Sequence, residues 1–128
     1  MPRLIKQVEV SGDSTTSWVK HTFTGLPPKC RLTTLRFVSN ALNNRISAIS
    51  LDLCEDANAT YSLTGLMDFA AADCKMDDDT VMGCVINLNH DYVLTDKAET
   101  DGSLNLYVKQ TGTGTAMPFK AYLIYTEA

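Results

Sequence analysis

Residues 102–125 read GSLNLYVKQTGTGTAMPFKAYLIY, and the alternation within this stretch is the main guide to the fold. An apolar residue occupies every second position from Leu104 to Val108, which is the period of a β-strand with one apolar face. The alternation returns from Phe119 to Tyr125, after a turn rich in threonine and glycine. Glycine takes positive φ without steric cost, so the chain can reverse direction there. We therefore predict a long antiparallel hairpin onto which the rest of the chain packs.

The chain upstream of this hairpin predicts further short strands separated by turn residues. Alternating or β-rich patterns mark strands over residues 4–10, 16–23, 31–38, 46–54 and 80–88, with 91–94 extending the last one or beginning another. Residues 11–14 are a turn cluster, and residues 63–72 fit either a strand or one short helix. Helical crossovers, which a parallel sheet needs, are missing from the pattern. We predict one all-β domain over residues 1–128, an antiparallel β-sandwich or jelly-roll-like fold of about eight strands.

Length, composition and charge exclude several classes of protein. The chain has 128 residues, of which 45% are hydrophobic and 20% charged, and its net charge is −4. Its eleven basic residues are scattered, which argues against nucleic acid as a partner. No apolar run approaches the roughly 20 residues of a membrane-spanning helix, so we expect no membrane partner. The first residues lack the apolar core of a secretory signal, and we expect synthesis in a cytoplasm.

The four cysteines, Cys30, Cys54, Cys74 and Cys84, do not form the spacing of a structural zinc site, because no CxxC pair occurs. An even count permits two disulfides, whereas reduced thiols are the default in a cytosol. Cys54 and Cys84 lie in apolar stretches and are expected in the core. Cys74 lies in the polar segment AADCKMDDD and is expected nearer to water.

Catalytic and ligand-binding motifs are absent from the sequence. The only histidines are His21, on the same strand face as apolar residues, and His90, in a turn-like segment. Neither has the spacing of a zinc site, and no nucleophile motif, phosphate-binding loop or dinucleotide fingerprint occurs. Acidic clusters at residues 52–56, 77–79 and 96–101 could offer oxygen ligands to calcium, but none has EF-hand spacing. We predict no catalytic, cofactor-binding or metal-binding residues, and hence no enzyme.

Aromatic side chains are the best candidates for an interaction surface. Tyr107 and Tyr122 fall on the strand faces opposite the apolar rows, so both faces of the predicted hairpin carry apolar surface. This indicates either a central strand position or a buried subunit contact, while a half-exposed tyrosine is the plainer alternative. With Tyr125 and the single tryptophan, Trp18, they make up the candidate interface residues.

The ending DGSLNLYVKQTGTGTAMPFKAYLIYTEA resembles the C-terminal hairpins of small all-β virion structural proteins of tailed bacteriophages. These are the capsid decoration (cement) proteins and the head- or tail-associated β-sandwich proteins. The shared features are an alternating L-x-L-Y-V strand, a Thr/Gly turn and an apolar closing strand that ends in tyrosine. The resemblance covers about a quarter of the chain.

The resemblance implies a non-enzymatic virion protein that stabilises a particle through oligomeric contacts. It implies a homo-oligomer, often a trimer, bound to capsid or tail proteins in the virion, after synthesis in the host cytoplasm. Residues 1–7 could then form a lattice-contacting arm, and Cys74 could be a reactive thiol that forms an intersubunit disulfide. The alternative is a carbohydrate- or ligand-binding module on the same fold, which an exposed aromatic platform beside polar loops would indicate, with Trp18 as the first residue to inspect.

Overall fold

In the part of the chain that the structure describes, eight antiparallel β-strands form two stacked sheets. The computed structural model describes residues 5–39, 46–55, 61–70, 82–94, 102–112 and 117–127. The strands are β1 (Ile5–Ser14), β2 (Val19–Leu26), β3 (Lys29–Ser39), β4 (Ile46–Cys54), β5 (Met67–Ala70), β6 (Met82–Val93), β7 (Gly102–Gly112) and β8 (Met117–Glu127). The prediction of an all-β antiparallel sandwich is confirmed.

The strand order identifies the sandwich as a jelly roll. The first sheet has the order β1-β8-β3-β6 and the second β2-β7-β4-β5. Strand β1 pairs with β8, β2 with β7, β3 with β6 and β4 with β5, as in one long hairpin whose tip lies between β4 and β5. Wrapping this ribbon adds the pairs β3–β8 and β4–β7, which close each sheet. This is the two-sheet, eight-stranded arrangement of jelly rolls.

The predicted hairpin of residues 102–125 does not form, although both of its strands do. Strand β7 lies at the centre of the second sheet and β8 at the centre of the first. The chain therefore crosses between the sheets after Gly112, whose φ is +119°. Two strands with one apolar face each can bury those faces by packing across a core as well as by lying side by side, and their alternation is the same in both cases. Of the alternatives that the sequence left open for these strands, both have the central position.

The inward rows of both sheets form one apolar core. Leu35 and Phe37 of β3 are fully buried, as are Ile49, Leu51 and Leu53 of β4. The core is completed by these buried side chains: Phe23, Leu26, Cys30, Leu32, Cys84, Tyr92, Leu104, Leu106, Val108, Phe119, Ala121, Leu123 and Tyr125. Cys84 is thus a core residue as expected, and Cys54 is also fully buried.

Several boundaries differ from the sequence prediction. Strand β1 continues to Ser14, so the turn predicted at residues 11–14 is wrong, and the chain turns after that strand instead. The described part of the predicted arm, Ile5–Gln7, is paired with β8. Residues 82–93 form one strand, which contains a residue with positive φ, Asn89 at +48°, where the register with β3 shifts. The undecided segment 63–72 contains strand β5.

Buried polar side chains tie the two sheets together at one end of the sandwich. The Ser14 hydroxyl, fully buried at the end of β1, donates a hydrogen bond of 2.7 Å to Oε1 of Gln110 on β7. The backbone N–H of Gln110 also donates to the carbonyl of Thr15, at 2.7 Å. Because Gln110 is only 1% exposed, these bonds satisfy polar groups that water cannot reach.

Candidate functional site

The outer face of the first sheet carries a row of side chains that crosses all four strands. Strand register places Glu9, Tyr122, Arg36 and Val85 side by side, on β1, β8, β3 and β6 respectively. The row faces outward because the residues before and after each member point toward the core. Val85, on the edge strand β6, is 67% exposed and adds apolar surface to the row.

Arg36 and Tyr122 form a cationic–aromatic pair at the centre of this row. The Arg36 Cζ atom lies 5.8 Å from the centre of the Tyr122 ring, within the range of a cation–π interaction. Glu9 lies 3.9 Å from the ammonium group of Lys120, the outward residue two positions before Tyr122. Tyrosine and arginine are the residue types that concentrate binding energy at protein interfaces. The pair is therefore a suitable anchor for a partner.

An open groove, which we call the sheet-1 groove, runs beside this pair. Its volume is about 570 Å³, within the size range of binding sites. The lining includes Val38 and Pro118 as apolar walls and Ser11 and Lys120 as polar ones, with Tyr122 and Arg36 at its side. This mixed lining suits an apolar side chain or short segment of a partner, held at its margin by hydrogen bonds and charge.

The outer face of the second sheet offers a smaller aromatic surface on the opposite side of the molecule. Trp18, immediately before β2, is 43% exposed, and the Lys109 ammonium lies 5.8 Å from its ring centre. Tyr107 projects from the same face of β7, with Lys20 on one side and Asp52 on the other. The Asp52 carboxylate accepts a 2.5 Å hydrogen bond from the Ser62 hydroxyl. Two aromatic rings thus lie among charged and hydroxyl groups.

The structure separates the residues that the sequence grouped as interface candidates. Tyr107 and Tyr122 are both half-buried, but they lie on the outer faces of different sheets. Tyr125 is a core residue rather than an interface residue, because it follows the inward row of β8 and is only 6% exposed. Trp18 is accessible. Cys74, the predicted reactive thiol, lies outside the described residues.

The groups that could support catalysis or metal binding do not converge within the described part of the chain. The buried His21 Nε2 atom has no hydrogen-bond partner there, and His90 is exposed on β6. The same residues contain no group of three or more His, Cys, Asp or Glu side chains that could hold a metal ion. Of the acidic segments considered for calcium, only residues 52–55 fall within the described ranges. Among the described residues, no helix is long and apolar enough to cross a membrane.

Burial also controls the chemistry of the described thiols. Cys30 is 1% exposed, and its removal from water raises the pKa of the thiol, since the charged thiolate is disfavoured in an apolar core. A thiol in this state is a weak nucleophile. Cys30 therefore acts as a small apolar core residue.

Sequence reasoning did not single out Arg36 as a candidate site residue. Its position between the inward residues Leu35 and Phe37 already indicated that it points outward. Alternation cannot show which residue of another strand lies beside it, and β3 and β8 are about 80 residues apart along the chain. The pairing with Tyr122 became visible only with the strand register.

Comparison with known proteins identifies the fold and no family. No family model and no curated protein matches the chain. Among solved structures, a carbohydrate-binding module specific for non-crystalline cellulose matches with a TM-score of 0.54 and 9% identity, over 94% of this chain and 73% of that one. This likeness supports the jelly-roll sandwich.

Two virus structures are more distant. Desmodium yellow mottle tymovirus matches at a TM-score of 0.36 and 15% identity, over 100% of this chain and 89% of that one. The virus-like particle of the extra small virus of the giant freshwater prawn Macrobrachium rosenbergii matches at 0.40 and 12% identity, over 99% and 79%. Both likenesses have TM-scores below 0.5 and transfer no role to this chain, and the tailed-bacteriophage assignment remains a prediction.

Proposed function

We propose that the chain is a non-enzymatic structural protein of a virion, which self-associates and binds neighbouring capsid or tail subunits through the outer face of its first sheet. The observation that carries this proposal is the Arg36–Tyr122 pair beside the sheet-1 groove, next to the exposed Val85. Apolar and aromatic side chains presented together on one sheet face are typical of protein interaction sites. The resemblance of residues 101–128 to tailed-bacteriophage decoration proteins supports the same role.

The energetics of such a role suit a small rigid domain. A jelly roll buries its core within one chain, so its outer face remains available for contacts between subunits. Tyr122 is already half-buried, so it has less side-chain freedom to lose on binding than a fully exposed residue has. Many copies, each binding modestly, would stabilise a shell through multivalency.

The test compares two tyrosines in matched positions. Tyr122 and Tyr107 are both half-buried, both on central strands, and each lies on the outer face of its own sheet. The mass of the purified protein is measured by light scattering over a concentration series, for the natural chain and for Tyr122→Ala and Tyr107→Ala. We expect the natural protein and Tyr107→Ala to form the same oligomer, and Tyr122→Ala to dissociate. A natural protein that stays monomeric at high concentration, or dissociation in Tyr107→Ala alone, would contradict the proposal.

A second candidate function is carbohydrate binding on the outer face of the second sheet. It is favoured by the exposure of Trp18 beside Lys109 and by the position of Tyr107 between Lys20 and Asp52. Flat aromatic rings offer apolar surface to a sugar ring, while neighbouring charged and hydroxyl groups can bind its hydroxyls.

Trp18 is the only tryptophan, so its fluorescence reports directly on this face. Titration with soluble cello-oligosaccharides and other glycans should change the Trp18 emission if a glycan stacks on the ring. Tyr107→Ala should weaken that response and Tyr122→Ala should leave it unchanged. An unchanged spectrum across a broad glycan panel would remove this candidate.

A further inference from the structure

His21 occupies an unusual position between the two sheets. It belongs to β2 of the second sheet, where it is paired with Leu106 of β7. Its ring extends toward the first sheet and makes an edge-to-face contact with Phe119 on β8. The ring centres are 4.8 Å apart and the ring planes are at 88°. Gly12 of β1 lies against the same ring: a Cβ atom built on Gly12 would lie 2.5 Å from His21 Cε1. The imidazole thus contacts both β1 and β8, while His21 as a whole is half-buried.

The Nε2 atom of this ring is buried, and no described residue lies within hydrogen-bond distance of it. A neutral imidazole tolerates such a site, since it carries a single N–H and a single lone pair. Protonation turns both nitrogens into donors and adds a positive charge. A positive charge with a buried donor that lacks an acceptor is disfavoured, so we expect the protonated ring to turn its Nε2 atom toward water.

We propose that His21 is an acid-sensitive switch: protonation of its imidazole loosens the contact between β1 and β2 and opens that side of the sandwich. β1 and β2 are the edge strands of their sheets, so each is held by one neighbouring strand only. Edge strands with few partners are the segments that open at low free-energy cost. Breaking the contact between Gly12 and His21 leaves the central strands of both sheets paired.

The charges around His21 oppose the switch only weakly. Among the described groups, Asp13 of β1 favours the protonated ring, whereas Phe119 of β8 and Leu106 of β7 carry no charge. Burial outweighs Asp13, and the pKa of His21 is lowered from its ordinary value. The unfolded chain therefore binds the proton first as the pH falls below about 6.5. The contribution of His21 to the free energy of unfolding is therefore constant above that pH. It decreases as the pH drops toward the lowered pKa, and it is constant again below that pKa.

The chain holds only two histidines, which permits a clean test. Unfolding by urea is measured between pH 7.5 and 5.5, a window above the ordinary pKa of carboxylates. For the natural protein we expect the unfolding equilibrium constant to increase with acidification, by up to about tenfold per pH unit. His90→Gln, which removes the exposed histidine, should keep this dependence. His21→Phe should abolish it, and the smaller His21→Asn serves the same purpose if phenylalanine does not fit.

Two spectroscopic measurements locate the effect. NMR titration of the imidazole protons in the natural protein should give His21 a pKa below the ordinary value, lowered further in Asp13→Asn. Hydrogen exchange should show lower protection factors at pH 5.5 than at pH 7.5 for the amides of β1 and β2, and unchanged ones for those of β3. His21→Asn should not show this reduction. A His21 pKa at or above the ordinary value would overturn the switch. So would an equal loss of protection in all strands, or a pH dependence that survives the replacement of His21.

Discussion

Gly12→Ala should destabilise the protein through one identifiable contact. The new Cβ would lie 2.5 Å from Cε1 and 2.9 Å from Nδ1 of His21. This is about 1 Å closer than the roughly 3.5 Å at which carbon atoms pack without repulsion. The ring cannot withdraw freely, because Phe119 lies against it with its centre 4.8 Å away. Such overpacking costs about 1–3 kcal/mol of the free energy of unfolding.

The sign of the effect distinguishes this clash from an ordinary glycine substitution. Gly12 lies within strand β1, and at a site without steric conflict alanine would be the more stable residue there by about 0.5–1 kcal/mol. Replacing His21 by alanine removes the obstructing ring. In the His21→Ala background, Gly12→Ala should therefore become neutral or stabilising, with a coupling free energy of about 1–3 kcal/mol between the two sites.

The assay is urea unfolding at pH 7.5, where His21 is neutral. Trp18 fluorescence and circular dichroism monitor the unfolding transition. Stabilities of the natural chain, both single variants and the double variant complete a thermodynamic cycle. Ser11→Ala is the matched control, since Ser11 is the exposed neighbour of Gly12 and its replacement should change stability by no more than about 0.5 kcal/mol. Equal effects of Gly12→Ala with and without His21 would refute the proposed contact.

Further variants test the core, the buried polar contact and the thiol chemistry. Leu106→Ala, at a fully buried site on central strand β7, should cost about 2–5 kcal/mol in urea unfolding, whereas Leu66→Ala, at a site 61% exposed, should stay within about 0.5 kcal/mol. Ser14→Ala should cost about 1–3 kcal/mol, because it removes the hydroxyl that donates to the buried Gln110. Cys30 should resist alkylation at pH 8 until the chain unfolds, because its pKa is raised by burial; peptide mass spectrometry would reveal rapid labelling of the native protein, which would contradict this.

The sequence predicted the strands better than their pairing. Alternation alone showed which residues of β3 and β4 point inward, because a half-buried strand must expose every second side chain to the core. It did not separate β7 and β8 into different sheets. Neighbouring strands along the chain usually lie side by side, but in this jelly roll only β4 and β5 do so. The local sequence pattern of a strand does not show which distant strand it pairs with.

Gly12 shows, at a single residue, the same limit on what can be predicted from the sequence. Its neighbours serine and aspartate made residues 11–14 resemble a turn, since glycine is frequent where a chain reverses. In the structure it is an ordinary strand residue, and a glycine is needed there because the His21 ring occupies the space of a side chain. A glycine that avoids a steric clash and a glycine that permits a turn look identical in a sequence.

The candidate surfaces divide in a similar way. The outward direction of Tyr107 and Tyr122 follows from the sequence, and so does the choice of tyrosine and tryptophan as interaction residues. Their separation onto opposite faces, the burial of Tyr125 and the partnership of Tyr122 with Arg36 followed only from the structure. The sequence by itself determined the fold class, the inward rows and the lack of catalytic motifs, all of which depend on local period and residue type. The tertiary structure alone decided the strand order, the surfaces and the contacts of His21, because those depend on residues that are distant along the chain and meet only when it folds.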